Sequence, residues 1–243
     1  MRVAPRSFLP RSNGPAGATP FGTTGDLLAL ARLHLSGGVA PDGGRLLSEG
    51  SVRQMQEEQV GLPPDAGGSF WGLGWKLFDW DGTRVIGHDG ATIGQNAFLR
   101  IVPDRDLAVA VLTNSGDAAP LARNVFEHVL RPLGDVGPPA AVTPVRRPVD
   151  PAPLVGRYQR LAQRIEIGRR NDRLWATIDD RRPLLPGDAR SFEAELHPVT
   201  DDLFAFTAPD AHEPTMLSFG DRDDHGRARW VSSSRRLPRI DDH

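Results

Sequence analysis

The segment that decides the fold of this chain runs from Val85 to Asn114 and reads V-I-G-H-D-G-A-T-I-G-Q-N-A-F-L-R-I-V-P-D-R-D-L-A-V-A-V-L-T-N. Its apolar runs are separated by turn residues and predict three strands, at Val85–Gly87, Gln95–Val102 and Leu107–Thr113. The third run is almost wholly apolar, which is typical of a strand buried on both faces. The segment therefore predicts an antiparallel meander, with the polar triplet His88-Asp89-Gly90 at one strand edge.

Short motifs occur in a fixed order around this meander. They are Pro15-Ala16-Gly17 with Thr23–Leu27, Leu73-Gly74-Trp75, His88-Asp89-Gly90 and Leu112–Gly116. In this order and spacing they resemble the C-terminal half of the penicillin-recognising serine hydrolases. That superfamily contains serine β-lactamases, D-alanyl peptidases, D-aminopeptidases and related esterases. The resemblance covers residues 12–130 and implies an α+β fold, in which helices flank an antiparallel sheet of a partial β-lactamase-like domain.

Two motifs of the superfamily do not occur in this sequence. The family's nucleophile lies in Ser-x-x-Lys and its second catalytic element in Tyr-x-Asn, both upstream of the matched region. The single lysine is Lys76, preceded three positions earlier by Leu73, and the single tyrosine is Tyr158, followed two positions later by Arg160. The resemblance therefore implies a truncated serine hydrolase that lacks its nucleophile. A gene fragment, a split gene or a late start codon would each produce such a chain.

The resemblance implies that His88, Asp89, Gly90 and Ala91 line a substrate cleft, because the family's Lys-Thr-Gly or His-x-Gly triplet walls one side of the active site. The residue after the triplet's glycine, here Ala91, supplies a backbone N–H to the developing oxyanion. Gly90 would let a substrate backbone lie close to the strand. His88 replaces the usual lysine and would donate a hydrogen bond to a substrate carboxylate or carbonyl. On the residues alone, a polar strand end is the favoured interpretation of His88-Asp89-Gly90, and the resemblance makes a cleft-lining position the better one.

Other candidate sites have weaker patterns. Ser69 lacks the second glycine of a nucleophile elbow, and Ser115 is most simply the start of a helix. The run from Asp221 to Gly226 resembles the start of a calcium loop, but Ser232 replaces the glutamate of its twelfth position. We expect a hairpin turn there. No catalytic residue, metal site or cofactor is assigned from the sequence.

Three helices are predicted around the meander. Thr23 caps the first, with Asp26 as the acidic partner of a capping box. The second runs from Ser48 to about Glu57, and the third from Asp117 to Leu130. The third helix carries an apolar stripe that should cover one face of the sheet, formed by Leu121, Val125, Phe126, Val129 and Leu130.

Aromatic residues and one histidine allow two interpretations each. The segment Phe70–Phe78 is predicted to be a strand, and its Trp71, Trp75 and Phe78 either pack in the core or stack on a ligand. Core packing is the favoured interpretation. His34, in the first helix, is interpreted as a surface or hydrogen-bonded histidine rather than a ligand.

The chain changes character after the third predicted helix. Residues 131–153 are dense in proline and predict a linker between a domain at 1–130 and a second domain at 154–243. The second domain shows about seven short strands with turn residues between them, which predicts a small all-β barrel or sandwich. Its opening, Leu154-Val155-Gly156-Arg157-Tyr158, resembles the start of the lipocalin-like appendage that follows some of these hydrolase domains.

Composition excludes several classes of function. The net charge of −2 over 243 residues gives no support for nucleic-acid binding, and the absence of cysteine excludes disulfides and thiolate chemistry. No apolar run is long enough to span a membrane, and the first 20 residues do not form a signal peptide. We therefore expect a cytoplasmic chain by default, although members of the superfamily are mostly exported.

Three interpretations follow, in decreasing order of support. The first is the truncated serine hydrolase, whose parent reaction is hydrolysis of an amide or ester through an acyl-serine. The second is a non-catalytic remnant that binds a ligand or a partner, and the third is an unrelated enzyme with its own nucleophile. In relatives the strand at Leu107–Thr113 is interior, so its edge would be exposed here. We therefore expect the isolated chain to be poorly stable, self-associated or bound to a partner chain. The expected substrate is a small molecule or a peptide.

Overall fold

The computed structural model describes residues 9–17, 19–64, 68–92, 94–114, 118–145, 147–161, 163–171, 173–180, 190–209, 211, 213–233 and 235–240. The chain forms two compact units. One consists of Met1–Gly61 and Gly68–Ala140, and the other of Leu62–Gly67 and Ala141–His243. The first unit combines helices with an antiparallel sheet and the second is all β, so the predicted α+β class is confirmed.

The sheet of the first unit has six strands in sequence order, each antiparallel to its neighbours. The strands are β1 (Val60–Gly61), β2 (Phe70–Trp71), β3 (Lys76–Trp80), β4 (Thr83–Thr92), β5 (Gln95–Val102) and β6 (Leu107–Thr113). The predicted meander is confirmed, and β5 and β6 have the predicted bounds. β4 is longer than predicted at both ends, because its pairing with β5 continues to Thr92. The His88-Asp89-Gly90 triplet therefore lies inside a strand rather than at its edge.

Three α-helices flank this sheet: α1 (Thr24–Leu35), α2 (Glu49–Met55) and α3 (Ala119–Gly134). Short 3-10 helices lie at Arg11–Ala16 and Pro103–Arg105. The predicted capping box is confirmed, since the Oδ2 atom of Asp26 accepts from the backbone N–H of Thr23 at 2.7 Å, and the N–H of Asp26 donates to Oγ1 of Thr23 at 3.3 Å. Ser48 caps α2 in the same way, through the N–H of Ser51 at 3.0 Å.

Helix α3 ends four residues beyond the predicted Leu130, in a turn where Asp135 adopts a left-handed conformation with φ of 52°. Its predicted start falls partly on residues 115–117, which lie outside the described residues. The stripe that it buries is formed by Ala122, Phe126, Leu130 and Gly134. Leu121 lies one position off this i, i+4 stripe and is 47% exposed, so its predicted burial is wrong.

Alternation along the strands divides the core between the two faces of the sheet. On one face, side chains of β3, β4, β5 and β6 pack against α3; they are Phe78, Trp80, Val85, Val102, Val109 and Val111. On the other face, Ala31 of α1 packs against Trp75, Leu77, Ile86, Leu99 and Ile101. Each such buried aliphatic or aromatic side chain contributes about 1.5–3 kcal/mol, so both helices are held by apolar burial.

The prediction of one strand across Phe70–Phe78 is wrong, because this segment forms the hairpin of β2 and β3. The chain turns at residues 72–75, where Gly74 has a φ of +85° and the N–H of Gly72 donates to the carbonyl of Trp75 at 2.7 Å. A Cβ at Gly72 would lie 2.2 Å from the carbonyl oxygen of Met55, so only glycine fits. Trp75 and Phe78 are buried as predicted, whereas Trp71 is only half-buried.

β6 is the last strand of the sheet. Its faces are covered as predicted, by α3 over Val109 and Val111 and by the α1 cluster over Ala108 and Ala110. Near its end Leu112 is 39% exposed. Within the described residues β6 pairs only with β5, so the backbone groups along its outer side have no strand neighbour.

The second unit contains eight described strands, one more than predicted. They are β7 (Gly156–Arg160), β8 (Gln163–Arg170), β9 (Arg173–Asp180), β10 (Arg190–Pro198), β11 (Leu203–Phe206), β12 (Thr215–Arg222), β13 (Ala228–Ser232) and β14 (Arg236–Pro238). Neighbours in sequence pair antiparallel, and a bridge between Tyr158 and Arg239 joins β7 to the segment after β14. The sheet is thus a nearly closed barrel, whose apolar interior includes Ile165, Leu217 and Val231, all at most 1% exposed.

Arg239 closes this barrel. Its guanidinium donates to the carbonyl oxygens of Ala228, Val155 and Pro153 at 2.6, 2.9 and 3.0 Å, and to the hydroxyl of Tyr158 at 2.7 Å. That fully buried hydroxyl donates in turn to the carbonyl of Leu154 at 2.8 Å. A Cβ on Gly156 would lie 2.0 Å from Nη1 of Arg239. The closure therefore explains the Leu-x-Gly-x-Tyr spacing.

The predicted hairpin turn at Asp221–Gly226 is confirmed as the connection of β12 and β13. Asp223 accepts backbone N–H groups of His225 and Arg227 at 2.9 and 2.8 Å, and Nε of Arg227 at 2.8 Å. Burial raises the pKa of this carboxyl, but these hydrogen bonds outweigh it and lower the pKa to about 2. The described residues contain no cluster of three or more His, Asp or Glu side chains suited to a metal ion. Among the same residues, no helix is long and apolar enough to cross a membrane.

Candidate substrate-binding wall

The final half of β4 has a strand neighbour on one side only. β3 pairs with β4 no further than the Lys76–Gly87 pair, whereas β5 pairs with β4 as far as Thr92. Residues 88–92 therefore project beyond β3, and no other strand of the described residues lies along their free side. An exposed strand edge of this kind can pair with the backbone of an extended ligand.

Side-chain alternation separates the predicted site residues into two groups. His88 and Gly90 are exposed and share the face of Ile86, while Asp89 points to the face of Val85. A Cβ at Gly90 would meet no atom within 4 Å, so the space over this position is open. Ala91 is also exposed. The structure thus keeps His88, Gly90 and Ala91 accessible and directs Asp89 toward α3.

Asp89 forms a two-point ion pair with Arg100 of β5. The distances are 2.6 Å from Nη1 to Oδ1 and 3.1 Å from Nη2 to Oδ2. Arg100 is only 7% exposed, and its guanidinium carbon lies 4.2 Å from the ring centre of Phe78 and 5.1 Å from that of Phe126. The carboxylate offsets the cost of burying this charge, and the aromatic faces add cation–π attraction.

Sequence reasoning missed Arg100 because the strand around it reads as an apolar run, F-L-R-I-V. A signal was present in that run. An arginine between four apolar residues of an interior strand needs a charged partner, and Asp89 on the neighbouring strand β4 was available as that partner. The structure therefore adds Arg100 to the site and gives Asp89 a partner within the protein.

An aromatic ring lies beside the exposed side of this strand. The ring centres of Trp71 and His88 are 5.6 Å apart with an interplanar angle of 46°. Nζ of Lys76 lies 5.9 Å from the Trp71 ring centre. Because Trp71 is half-buried and contacts His88, it is placed to contact any molecule that His88 binds.

The remaining sequence candidates lie apart from this arrangement. Ser69 is exposed, with its backbone N–H donating to the carbonyl of Leu77 at 2.8 Å, and Ser115 lies outside the described residues. His34 is buried edge-on against Trp75 at 5.0 Å, and neither its Nδ1 nor Nε1 of Trp75 has a hydrogen-bond partner. The expectation of a surface or hydrogen-bonded histidine is wrong in this respect. Burial lowers the pKa of His34.

Comparison with known proteins identifies the family of this chain. The β-lactamase family model matches residues 2–133, more than half of the chain. The chain belongs to the β-lactamase family, and the predicted superfamily of penicillin-recognising serine hydrolases is confirmed.

Individual relatives extend this result. The chain is 42% identical over 157 residues to penicillin-binding protein 4 of Amycolatopsis lactamdurans, which covers 63% of this chain and 41% of that protein. It is similar to the crystal structure of SurE with D-Leu, with 28% identity and a TM-score of 0.66, covering 90% of this chain and 50% of that one. A second structure of SurE matches with a TM-score of 0.64, 28% identity and coverages of 90% and 48%. The chain thus spans about half the length of these relatives.

Proposed function

We propose that this chain supplies one wall of the active site of a β-lactamase-related serine hydrolase, formed by His88, Gly90 and Ala91. The parent reaction is hydrolysis of an amide or ester through an acyl-serine, with a D-amino-acid peptide, a β-lactam or an ester as substrate. The observation that carries this proposal is the one-sided pairing of residues 88–92, which leaves the predicted triplet strand accessible along its length. Membership of the family supports the reaction class.

The wall has the groups that acyl transfer needs on one side. A developing oxyanion is stabilised by fixed N–H donors, and Ala91 would supply one of them. His88, exposed beside Trp71, would hydrogen-bond a substrate carboxylate or carbonyl. Open space over Gly90 leaves room for the substrate backbone. Asp89 acts behind the wall rather than on the substrate.

The serine nucleophile of this reaction would come from a segment outside this sequence, since Ser-x-x-Lys and Tyr-x-Asn do not occur in it. We propose that such a segment pairs along β6, either from a partner chain or in a longer form of the protein. The outer side of β6 has no strand neighbour among the described residues, and Leu112 of this strand is 39% exposed. Strand edges of this type readily pair with another chain.

A second candidate function is ligand binding without catalysis. Contact between Trp71 and His88 favours it, because an aromatic ring beside a hydrogen-bonding group can hold a small polar ligand. A related protein, SurE, was crystallised with D-Leu. D-leucine is therefore the first ligand to test on the wall of this chain.

Intact-mass analysis after labelling with a fluorescent penicillin and a fluorophosphonate tests the proposal. We expect no adduct on the chain alone, because its sequence contains no Ser-x-x-Lys motif. When a family polypeptide carrying Ser-x-x-Lys and Tyr-x-Asn is added, we expect an adduct on that polypeptide that forms only in the mixture. His88→Ala should weaken this labelling, whereas His197→Ala, at a 54% exposed histidine of the barrel, should not.

Two results decide between the candidates. A stoichiometric adduct on this chain alone would overturn the proposal and point to a serine of its own. No adduct in the mixture, together with saturable binding of D-leucine at His88, would favour the non-catalytic function.

A further inference from the structure

Gly87 provides the path that Arg100 takes to reach Asp89. Arg100 lies directly opposite Gly87 in the β4–β5 register, and Asp89 lies two positions further along β4. A Cβ at position 87 would lie 2.1 Å from the carbonyl oxygen of Leu99 and 3.1 Å from both Cδ and Nη1 of Arg100. The arginine side chain can therefore run diagonally across β4 only because residue 87 has no side chain.

The position of this ion pair coincides with the point where β4 loses its second neighbour. Gly87 is the last β4 residue paired with β3, and Asp89 lies in the part that only β5 supports. A strand paired on one side is free to twist away from its partner. Here the two bonds from Arg100 to Asp89 add a side-chain link between β5 and β4. Nη1 of Arg100 also donates to the carbonyl of its β5 neighbour Leu99 at 2.9 Å, which fixes the position of the guanidinium.

We propose that Arg100 is a positioning residue, which clamps Asp89 so that His88, on the opposite face of β4, and the backbone N–H of Ala91, in the plane of the strand, keep a fixed direction. We call Gly87, Asp89 and Arg100 the clamp. The proposed role of the wall is assumed here, but the clamp itself is a property of the free chain. Its effect is to hold the unsupported end of β4 in place before any ligand arrives.

Stability alone does not account for this arrangement. A buried ion pair is often no more stabilising than apolar residues of the same volume, so an apolar residue at position 100 would fill the space between Phe78 and Phe126 as well. Apolar packing would give no directional link to residue 89. The two-point geometry of guanidinium and carboxylate fixes both the distance and the orientation of the strand.

Amide hydrogen exchange in the full chain tests the clamp without any ligand. In the double variant Arg100→Met/Asp89→Asn both charges are removed, so the fold should persist while the clamp is lost. We expect exchange of amides 88–92 to rise at least about tenfold, with amides of β5 and β6 and the thermal midpoint little changed. The matched control is Arg170→Gln, which removes an exposed two-point pair with Glu193 in the barrel and should leave 88–92 unaffected.

Exchange that rises equally over the whole sheet, or that does not rise at 88–92, would overturn the clamp. A titration with D-leucine, followed by the His88 and Ala91 NMR signals, separates this outcome from the fate of the proposed function. One outcome is faster exchange at 88–92 in the double variant, while the chain neither binds D-leucine nor supports labelling in the mixture. That combination supports the clamp and contradicts the proposed function. Equal D-leucine affinity in wild type and double variant, with unchanged exchange, overturns the clamp and leaves the function standing.

Discussion

The two sheets of this protein end in different ways. In the second unit, Arg239 and Tyr158 join the first strand to the last segment, so the barrel leaves little free edge. In the first unit, no described strand pairs with the outer side of β6, and half of β4 has only one strand neighbour among the described residues. The described strands of the barrel are joined from first to last, whereas the described strands of the six-stranded sheet keep unpaired edges.

Arginine has opposite effects in the two sheets. Arg239 donates to three carbonyl oxygens and a hydroxyl, and by doing so it removes free backbone groups from a sheet boundary. Arg100 bonds a carboxylate behind a strand whose front stays accessible. One arginine closes a sheet, whereas the other holds an open strand in position.

The largest effect is expected at the closure of the barrel. Arg239→Met removes four hydrogen bonds at once, and at roughly 1 kcal/mol for each we expect a loss of about 3–4 kcal/mol in the free energy of unfolding of the barrel. Amide hydrogen exchange of the β8 and β9 segments, measured at increasing urea concentration, gives this free energy of unfolding. Arg236→Met, at an arginine stacked 4.5 Å from the exposed side of Trp230, is the control and should cost less than about 1 kcal/mol. Equal losses in the two variants would contradict the closure.

A smaller effect is expected from pH, which should change the stability of the first unit more than that of the barrel. Burial lowers the folded-state pKa of His34, so the unfolded first unit binds more protons as the pH falls through the ordinary histidine range. The contribution of His34 is complete above its unfolded pKa and is lost as the pH falls through the lower folded value. Asp223 of the barrel turn has a pKa of about 2, so its contribution persists until far more acidic conditions. Hence the free energy of unfolding of the first unit should fall as the pH is lowered from 7.5 to 5.

The urea midpoint of unfolding, detected by amide hydrogen exchange in β5 for the first unit and in β13 for the barrel, measures this difference at pH 7.5 and at pH 5. His34→Phe should remove the pH dependence of the β5 midpoint, because it replaces the titrating ring with an apolar one. A β5 midpoint that falls equally in His34→Phe would rule out His34 as its cause.

Much of the fold could be predicted from local pattern. The bounds of β5 and β6 follow from apolar runs between turn residues, and the capping box of Thr23 and Asp26 is a local motif. The hairpin at residues 72–75 was missed because it depends on a long-range contact, the approach of Gly72 to the carbonyl of Met55. Local propensity contains no information on that approach.

The candidate site shows the same limit. His88, Gly90 and Ala91 were predicted from motif order, but the separate role of Asp89 required the register that brings Arg100 opposite Gly87. The eighth described strand of the barrel was missed because β14 has only three residues, which pair with β13 beside the long-range bridge of Tyr158 and Arg239. In both regions, a long-range arginine contact determines what local sequence patterns leave undetermined.

We propose that another segment of the family pairs along the outer side of β6 in the first unit. Hydrogen exchange of the outward-facing β6 amides, measured with and without a family polypeptide carrying Ser-x-x-Lys and Tyr-x-Asn, tests it most directly. We predict exchange slowed at least about tenfold in the mixture, and loss of this protection in Leu112→Lys but not in Leu161→Lys, at a 91% exposed leucine of the barrel. Unchanged exchange in the mixture, with a chain that alone is a monodisperse monomer with a sharp thermal transition, would contradict the claim.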